Sequence, residues 1–347
     1  MSKKLQIETV HPKDWSRDSL RSWLVAMRKK RVLVVGDVGI DRYTIGSVER
    51  ISPEAPVPIV RVESEQLKLG LAANVADNIQ AVGGVSLIVG VIGKDDGAKQ
   101  LKALFKAGKI SAAHLVVDSS RRTVLKERVV SDRQQLLRID YESQHAITAS
   151  VEAQILHQLD LALSTVGAVI VEDYAKGLLS QSLLERIFKK ARAKKVFVAV
   201  DPNVKTPVGF YRGAALLTPN TKEAEALVGY KIHDQESLLR AGAGILSKTG
   251  ACNVVITRGR EGMAIFTLGS RKVTLIPTYA REVFDVSGAG DTVIAVMTLA
   301  LSAGASVEES AILANLAAGV EVGKRGTATV SPEEILLALE FFGSVAV

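Results

Sequence analysis

The stretch DVSGAGDTVIA, residues 285–295, places three small residues and one carboxylate directly before an apolar run with helical spacing. The small residues Gly288, Ala289 and Gly290 let backbone N–H groups approach a bound group closely, because no large side chain blocks them. The apolar run predicts a buried helix, whose first free N–H groups and positive dipole end face the turn. This stretch therefore predicts an anion-binding site, with Asp291 beside it.

Length and composition limit the classes of protein to consider. The chain has 347 residues, 47% of them hydrophobic and 23% charged, which suits one large α/β domain or two smaller ones. No apolar run approaches the roughly 18 residues that a membrane span needs, and no apolar leader follows Lys3 and Lys4. The single cysteine, Cys252, favours a reducing compartment, and its neighbours predict that it packs in a buried strand. We expect a cytoplasmic protein.

The charge pattern favours a small anionic ligand over nucleic acid. The net charge is +7, but apart from residues 28–31 the basic residues are scattered, and only 5% of the residues are aromatic. A nucleic-acid-binding chain usually carries a basic stripe or an aromatic platform. We therefore expect neither a nucleic-acid partner nor a membrane partner.

From residue 31 onward, apolar β-rich runs alternate with helical segments, which predicts a parallel sheet with helices on both faces. The predicted strands cover residues 32–35, 86–91, 168–171, 196–200, 215–217 and 253–257. The predicted helices cover residues 72–82, 98–107, 151–164, 182–193, 222–228 and 237–248.

The pattern also predicts how the chain is organised. Residues 1–30 resemble a helical appendage that packs on the surface of one main domain, residues 31–347. Two segments inside that domain, at about 43–65 and 121–142, alternate apolar and polar residues without a helical period. We interpret them as strands that form a small β-layer over the mouth of the sheet. Such a layer serves either as a lid or as a structural flap.

Two nucleotide-binding motifs are missing from the sequence. No segment matches the Walker pattern G-x-x-x-x-G-K-[ST], and the first strand runs into GDVGIDRY rather than G-x-G-x-x-G. Asp291 is therefore the main candidate for a catalytic residue, and it has two interpretations. It is either an N-cap aspartate or a general base that takes a proton from a hydroxyl. In the second case the amides of the small-residue turn hold the charge that develops on the transferring group.

DVSGAGDT resembles the D-[TS]-x-G-A-G-D signature of the ribokinase-like sugar kinases, the phosphofructokinase-B family. Four further segments resemble family motifs in the family's order: GDVGID, LGLAANVADNIQAVGG, TPNTKEAE and VVITRGREGM. The resemblance implies a ribokinase-like α/β fold, with a mostly parallel central sheet, helices on both faces and a small β-sheet lid. It also implies an ATP-dependent carbohydrate kinase that uses Mg²⁺.

The same resemblance implies roles for individual residues. It makes Asp291 the general base, and it makes Gly288, Ala289 and Gly290 the anion hole for the γ-phosphate. The residues implied to contact the sugar are Asp41, Gly70 and Asn74, and those implied on the nucleotide side are Asn220, Glu223, Thr257, Gly259, Gly262 and Asn315.

Cations are also implied by the resemblance. Asn220 and Glu223 would hold Mg²⁺ through water, since this ion gives up its waters reluctantly. Some family members bind a monovalent cation such as K⁺ near the anion hole, where Asp285 and Ser287 lie. If the family pattern holds, Asn315 borders the adenine. The alternative is an asparagine on a helix face whose hydrogen bonds are made within the protein.

A narrower resemblance is to the heptose-7-phosphate kinases of the ADP-heptose pathway. It rests on the segments DRYTIGSVERISPEAPVPIVRV, QQLLRIDYE, DYAKGLLS, RGAALLTPNTKEAE and GKRGTATVSPEEI. It implies phosphorylation of D-glycero-β-D-manno-heptose 7-phosphate at O1, in lipopolysaccharide core biosynthesis. The absence of an H-x-G-H segment before Val347 resembles the stand-alone form of the kinase.

Two positions depart from the family pattern. Leu71 lies where relatives usually carry a second glycine, and Gly39 lies where a larger residue is usual. We hypothesise that the two changes compensate sterically. They keep open an alternative in which the enzyme phosphorylates another sugar or sugar phosphate, and a non-catalytic ligand-binding regulator is a further alternative.

The substrate's own phosphate requires cations. Candidates are Lys176, Arg138 and Arg42, each of which is otherwise a solvated surface charge. The β-lid also presents strand edges that a second copy would protect, so we expect a homodimer through the lid, as the resemblance also implies.

Overall fold

The computed structural model describes residues 5–131, 134–279, 283–324 and 326–343. The strands are β1 (Gln6–Thr9), β2 (Arg31–Gly36), β3 (Val38–Ile51), β4 (Pro58–Leu71), β5 (Val85–Ile92), β6 (Leu115–Val117), β7 (Val124–Ser131), β8 (Gln134–Tyr141), β9 (Ala168–Glu172), β10 (Phe197–Asp201), β11 (Leu216–Leu217), β12 (Asn253–Thr257), β13 (Met263–Thr267) and β14 (Lys272–Ile276). The helices are α1 (Arg17–Met27), α2 (Ala72–Ala81), α3 (Asp96–Ala107), α4 (Ala149–Leu163), α5 (Gln181–Ala193), α6 (Thr221–Val228), α7 (Gln235–Thr249), α8 (Ala289–Ala303), α9 (Val307–Glu321) and α10 (Pro332–Gly343).

Ten strands form the main sheet, in the order β1-β14-β13-β12-β11-β10-β9-β2-β5-β6. Neighbouring strands are parallel except at β13, which is antiparallel to both β12 and β14. The central strand β2 has four consecutive fully buried residues, Val32 to Val35, as a strand covered on both faces requires. The predicted mostly parallel α/β fold, with helices on both faces, is confirmed.

The two faces of the sheet carry separate apolar cores. On one face α1, α2, α3, α8, α9 and α10 pack against alternate residues of the strands, and on the other α4, α5, α6 and α7 pack against the remainder. Helix α8 is buried along most of its length, as its apolar sequence predicts. Among the described residues, no helix is both long enough and apolar enough to cross a membrane.

The N-terminal segment is part of the same body. Strand β1 was not predicted from the sequence. It extends the main sheet by pairing in parallel with β14. Helix α1 forms in the predicted place and buries Leu20, Leu24 and Met27 against the α8 side of the core. Cys252 was expected to be packed, and that expectation is wrong: it precedes β12 and is exposed.

A four-stranded sheet, β4-β3-β7-β8, forms the predicted small β-layer, and this sheet is called the lid below. Its strands occupy both segments that the sequence analysis set outside the main sheet. The register places Asp41 opposite Lys68 on one side and opposite Lys126 on the other, and places Tyr43 opposite Arg128. Since paired residues in a sheet share a face, these polar side chains lie together on one face of the lid.

Leu71 and Gly39 meet where the lid joins the main domain. Leu71 caps the N-terminus of α2 with φ 59° and ψ −140°, a backbone conformation that favours glycine. The side chain is buried, and a Cβ added to Gly39 would lie 2.9 Å from Leu71 Cδ1. This contact supports the hypothesis that the two departures compensate, because the leucine occupies space that the glycine leaves free.

We predict that Gly39→Ala lowers the free energy of unfolding by about 1–3 kcal/mol, since the new methyl group would lie 2.9 Å from both Leu71 Cδ1 and the Val124 carbonyl oxygen. In a Leu71→Gly background that cost falls by about 0.5 kcal/mol or more, because one of the clashing groups is gone. Urea denaturation of the wild type, both single variants and the double variant measures this coupling. An identical cost in both backgrounds would show that the residues do not compensate.

Candidate active site

The N-terminus of α8 forms the floor of the site. Gly288 precedes the helix with φ 100°, and a Cβ there would lie 3.1 Å from Asn74 Nδ2, so both backbone and space require glycine. Ala289 and Gly290 follow as the first helical residues, whose N–H groups have no partner inside the helix. Outside the helix, the Ala289 N–H donates to the Val286 carbonyl at 3.4 Å. The turn that the sequence predicts to be the anion hole therefore lies at a helix N-terminus, an arrangement that favours negative groups.

Asp291 is held by two hydrogen bonds. Asn74 Nδ2 donates to Oδ2 at 2.7 Å, and the Tyr174 hydroxyl donates to Oδ1 at 2.7 Å. Removal from water raises the pKa of this carboxyl to about 6, although both donors oppose the shift. The alternative of an N-cap aspartate is wrong, because Gly288 occupies the cap and Asp291 lies in the first turn. The carboxylate is oriented and partly exposed, as a proton acceptor requires.

Helix α2 is attached to α8 by polar contacts behind Asp291. Asn74 is buried, and Asn78 Nδ2 donates to its backbone carbonyl at 3.0 Å. The Thr292 hydroxyl donates to Asn78 Oδ1 at 3.0 Å. These contacts fix the position of the Asn74 amide relative to the carboxylate that it orients.

The lid contributes Asp41 to the site. Asp41 is buried and forms an ion pair with Arg128 on the neighbouring strand β7. A Cβ added to Gly70 would lie 2.7 Å from Asp41 Oδ2, so glycine is needed there to accommodate the carboxylate. Asp41, Gly70, Asn74 and Asp291 therefore lie in the same part of the structure, on the lid, on α2 and on α8.

The predicted phosphate ligands are placed differently from one another. Lys176 lies near the site but pairs with Glu142, at 2.7 Å from Nζ to Oε1. Arg138 is half-exposed on the outer strand β8 and pairs with Asp140 at 2.9 Å. Arg42 lies on the lid face opposite Asp41, where Nη2 donates to Gln100 Oε1 at 3.4 Å, because successive residues of a strand alternate between faces. The structure does not bring Arg42 to the site.

Two basic residues of β7 face the site instead, and sequence reasoning missed both. Arg128 pairs with Asp41, and Lys126 Nζ lies 5.5 Å from the centre of the Tyr174 ring. Lys126 forms no ion pair with any residue that the structure describes, and desolvation lowers its pKa. The period-two spacing of these residues was visible in the sequence, but only the pairing with β3 shows which face they share with Asp41.

A cavity of about 320 Å³ opens on the other side of the α8 N-terminus. The residues that line it include Ala289, Gly290, Thr257, Gly259, Gly262 and Asn315. Four residues predicted on the nucleotide side therefore share one cavity with the anion-hole turn. Asn315 Nδ2 donates to the Pro277 carbonyl at 2.7 Å, so part of its role is structural.

Asn220 and Glu223 lie beside this cavity as the capping box of α6. Asn220 Oδ1 accepts from the Glu223 N–H at 3.0 Å, and Glu223 Oε2 accepts from the Asn220 N–H at 2.8 Å. Asn220 also bridges to Thr257, which lines the cavity. The N-x-x-E element therefore has a structural function, and its second carboxylate oxygen is left for other contacts.

The segment before the turn is also fixed. Asp285 Oδ1 accepts from the Ser287 N–H at 2.9 Å, and Oδ2 accepts from the Gly326 N–H at 3.2 Å. A second cavity, of about 450 Å³, lies between Asp285 and the lid residues Tyr43 and Arg128. Val283 lines both cavities, whereas Ala289 and Gly290 of the α8 N-terminus line the first cavity and Asp285 lines the second.

The architecture defines a class of protein. The main sheet is mostly parallel and has helices on both faces. The lid lies over the N-terminus of α8, which carries the oriented carboxylate of Asp291, and a separate cavity lies on the other side of that helix end. This is the architecture of ATP-dependent carbohydrate kinases. The chain belongs to the pfkB carbohydrate kinase family, since the family model described as "pfkB family carbohydrate kinase" matches residues 29–334. The family resemblance noted in the sequence is confirmed.

Several relatives share the name "Bifunctional protein HldE". The protein from Geobacter sulfurreducens is 46% identical over 309 residues, which cover 89% of this chain and 63% of that protein. The protein from Yersinia pseudotuberculosis is 44% identical over 308 residues, again 89% and 63%. The chain thus spans less than two thirds of the length of these relatives.

Solved structures show the same fold. Arabidopsis thaliana ribokinase complexed with ribose and ATP gives a TM-score of 0.71 at 21% identity, covering 90% of this chain and 99% of that one. Escherichia coli phosphofructokinase-2 in complex with potassium gives 0.75 at 19% identity, covering 91% and 99%.

We predict that Arg128→Met lowers the free energy of unfolding by about 3–5 kcal/mol, because it leaves the buried Asp41 carboxylate without its partner. Arg138→Met, which breaks an exposed pair on the next strand, costs about 1 kcal/mol or less. Urea denaturation of both variants makes the comparison. If both variants lost the same free energy of unfolding, the Asp41–Arg128 pair would contribute no more than an exposed ion pair, which would contradict its burial.

Proposed function

We propose that the protein transfers the γ-phosphate of ATP to O1 of D-glycero-β-D-manno-heptose 7-phosphate, giving the 1,7-bisphosphate for ADP-heptose and lipopolysaccharide core biosynthesis. The observation that carries the proposal is the Asp291 carboxylate, held by Asn74 and Tyr174 at the anion-binding end of α8. The choice of sugar is supported by the long segments that resemble heptose-7-phosphate kinases and by the identity to proteins named HldE.

In this proposal Asp291 accepts the proton of the anomeric hydroxyl as that oxygen attacks the γ-phosphate. The backbone amides of the turn, Gly288 to Gly290, receive the negative charge on the transferring group. Asp41 and Asn74 hold the sugar, with Gly70 leaving room beside them. The lid excludes water, which would otherwise compete as the acceptor. Positioning and charge neutralisation account for most of the catalysis in phosphoryl transfer.

The residues of the N-x-x-E element fit a magnesium ion held through water. The Asn220 N–H occupies one carboxylate oxygen of Glu223, and the pKa of that carboxyl is raised, first of all by burial. An oxygen-only donor set beside a nucleotide cavity suits Mg²⁺, which keeps several waters. When bound, Mg²⁺ neutralises phosphate charge. We further propose K⁺ near Asp285 and Ser287, because the Asp285 carboxylate lies at the base of the anion-hole turn.

The substrate's phosphate requires cations that are not already neutralised. We propose that Lys126 and Lys176 bind the substrate's phosphate. Arg128 does not join them in this proposal, because it holds Asp41 in an ion pair. Lys126 supports the proposal best, because it is half-buried and pairs with no described carboxylate. Lys176 would exchange Glu142 for the phosphate. Arg138 can join only by leaving Asp140, and Arg42 faces away.

We predict that the wild type releases ADP from MgATP with the β-heptose 7-phosphate far faster than with its α-anomer, ribose or fructose 6-phosphate. Asp291→Asn lowers kcat by about 10²–10⁴-fold, because it removes the proton acceptor and keeps the shape. Asp96→Asn is the matched control, since Asp96 is exposed and, among the described residues, forms its ion pair with Lys99 alone.

Other outcomes of this assay have definite meanings. ADP release with a different sugar would support the phosphoryl-transfer mechanism but contradict the assignment of the heptose as substrate. ATP binding without ADP release from any acceptor favours the non-catalytic regulator. Full activity of Asp291→Asn would contradict the role of the general base.

We also propose a homodimer through the lid. Large apolar side chains are exposed at the end of β3 (Ile51, 60%), in the turn that follows (Val57, 51%), on the outer strand β4 (Val62, 51%) and on β8 (Leu137, 54%). Exposed strand edges with apolar side chains are usually covered by another chain.

We predict that Val62→Glu makes the protein a monomer at micromolar concentration, because it places a charge in the paired edge. Val204→Glu changes a similarly exposed valine outside the lid and leaves the dimer intact. Size-exclusion chromatography with light scattering measures both. A monomeric wild type would contradict the proposed dimer.

A further inference from the structure

An ion pair connects the lid to the main sheet near the acceptor side of the site. Glu142 directly follows β8 of the lid, and Lys176 lies in the loop after β9. Lys176 Nζ donates to Glu142 Oε1 at 2.7 Å, and the two side chains are only 17% and 10% exposed. The pair is therefore largely removed from water, where each charge depends on the other for compensation.

The Glu142 carboxylate has hydrogen bonds to only one of its two oxygens. Gln144 Nε2 also donates to Oε1, at 2.6 Å, whereas Oε2 is buried and accepts no hydrogen bond from any residue in the described part of the chain. Although desolvation opposes them, the hydrogen bonds from Lys176 and Gln144 lower the pKa of this carboxyl, so it is ionised at neutral pH. The buried oxygen gains nothing from its present position.

Lys176 also lies close to a second basic side chain. Desolvation is the main cause that lowers the pKa of Lys126, and the positive charge of Lys176 lowers it further. Two ammonium groups that repel each other favour an anion beside them, and Glu142 supplies one. The proposed function places the substrate's phosphate at the same two lysines. The carboxylate and the phosphate then compete for Lys176.

A cavity next to Glu142 gives the carboxylate room to move. It has a volume of about 510 Å³, and the residues that line it include Glu142, Lys94 and Arg122. Neither Lys94 nor Arg122 forms an ion pair with a residue in the described ranges. The Arg122 N–H donates to Ser143 Oγ at 3.2 Å, which keeps this arginine beside the segment that carries Glu142. The carboxylate can therefore leave Lys176 and remain near positive charge.

We propose that Glu142 sets the affinity for phosphorylated acceptors, because its carboxylate neutralises Lys176 until the phosphate of the substrate displaces it. Glu142 acts through Lys176 and is not a catalytic residue. A sugar without a phosphate leaves the pair intact, so Glu142 affects phosphorylated ligands alone. The inference rests on the proposed function for the identity of the ligand, a phosphate monoester, but the exchange of partners at Lys176 does not.

Isothermal titration calorimetry of the nucleotide-free protein tests this exchange. The ligands are D-glycero-β-D-manno-heptose 7-phosphate, the same heptose without its phosphate, and inorganic phosphate. Glu142→Gln keeps the shape and removes the competing charge, so it lowers the Kd of both phosphate ligands about tenfold and leaves the Kd of the unphosphorylated heptose unchanged. Glu152→Gln is the matched control, because Glu152 is also an ion-paired glutamate of low exposure, and it changes none of the three values.

Further measurements separate the exchange from a merely structural role. In a Lys176→Met background, Glu142→Gln has no effect on the Kd of inorganic phosphate, since there is no ammonium left to compete for. In the kinase assay Glu142→Gln lowers KM for the heptose 7-phosphate and does not raise kcat, whereas loss of a residue that only holds Lys176 in place raises KM.

A second variant applies if Glu142→Gln does not fold. Gln144→Leu removes one hydrogen bond from the carboxylate and leaves both charges of the pair in place. It weakens the hold on Glu142, so the Kd of inorganic phosphate falls about threefold. An unchanged Kd in this variant would count against the exchange.

An unchanged or higher Kd for both phosphate ligands in folded Glu142→Gln would overturn the inference. The kinase assay on the same preparations distinguishes this failure from failure of the proposed function. Heptose turnover with unchanged phosphate affinity in the variant rejects the exchange alone. Tighter binding of inorganic phosphate by the variant, with no turnover on any sugar, rejects the proposed function alone.

Discussion

The site depends on the pair of hydrogen bonds that orient Asp291. One donor comes from α2, the other from the loop after β9, and the acceptor itself lies in the first turn of α8. Three separate elements must therefore reach their positions before the carboxylate has a fixed direction. The buried α2–α8 packing achieves this, with the Thr292–Asn78 contact behind it. Small residues at the turn and in α2 allow the close approach that these short bonds require.

Electrostatics impose a second constraint on this arrangement. The carboxyl ends of parallel strands converge on the same edge of the sheet, so Glu172 and Asp201 come together with Asp291. An anion-binding helix end and a group of carboxylates are adjacent, although their charge requirements conflict. The lid supplies positive charge from one side through Lys126 and Arg128. The chemistry of the site is governed by how these opposed charges are balanced when ligands enter.

Much of the fold could be predicted from the sequence, because it depends on local patterns. The apolar run after Gly290 predicts a buried helix, and residues 32–35 predict a strand, without knowledge of any contact. The antiparallel strand β13 and the edge strand β1 were missed, since a short strand in a sheet of mixed direction has no distinctive local pattern. Cys252 was misplaced for a different reason: β12 begins at Asn253 as predicted, and Cys252, one residue before it, lies outside the buried strand and is exposed.

The residues of the candidate site also fall into those that local sequence patterns predict and those that they do not. Asp291 and its turn, Asn74 and Asp41 form recognisable short motifs. Tyr174, Lys126, Arg128 and Glu172 depend on pairing between distant segments, and a strand shows its two faces only when its register is known. Arg42 illustrates the error that follows, since it is adjacent to Asp41 in sequence but lies on the opposite face of the lid. Sequence proximity is a poor guide within a strand, where neighbours point in opposite directions.

Strand β3 follows β2 after a single residue and runs for 14 residues from the main sheet into the lid. Its inner end carries Asp41, and its outer end pairs with the exposed strand β4. One continuous ladder thus joins the acceptor pocket to the outer surface of the molecule. With the sugar pocket and the dimer contact placed on the lid as proposed, sequence changes on that surface bear on substrate choice. Under the same proposal, exchanging the lid between homologues transfers the acceptor preference and the assembly state as one heritable unit, while the nucleotide half stays unchanged.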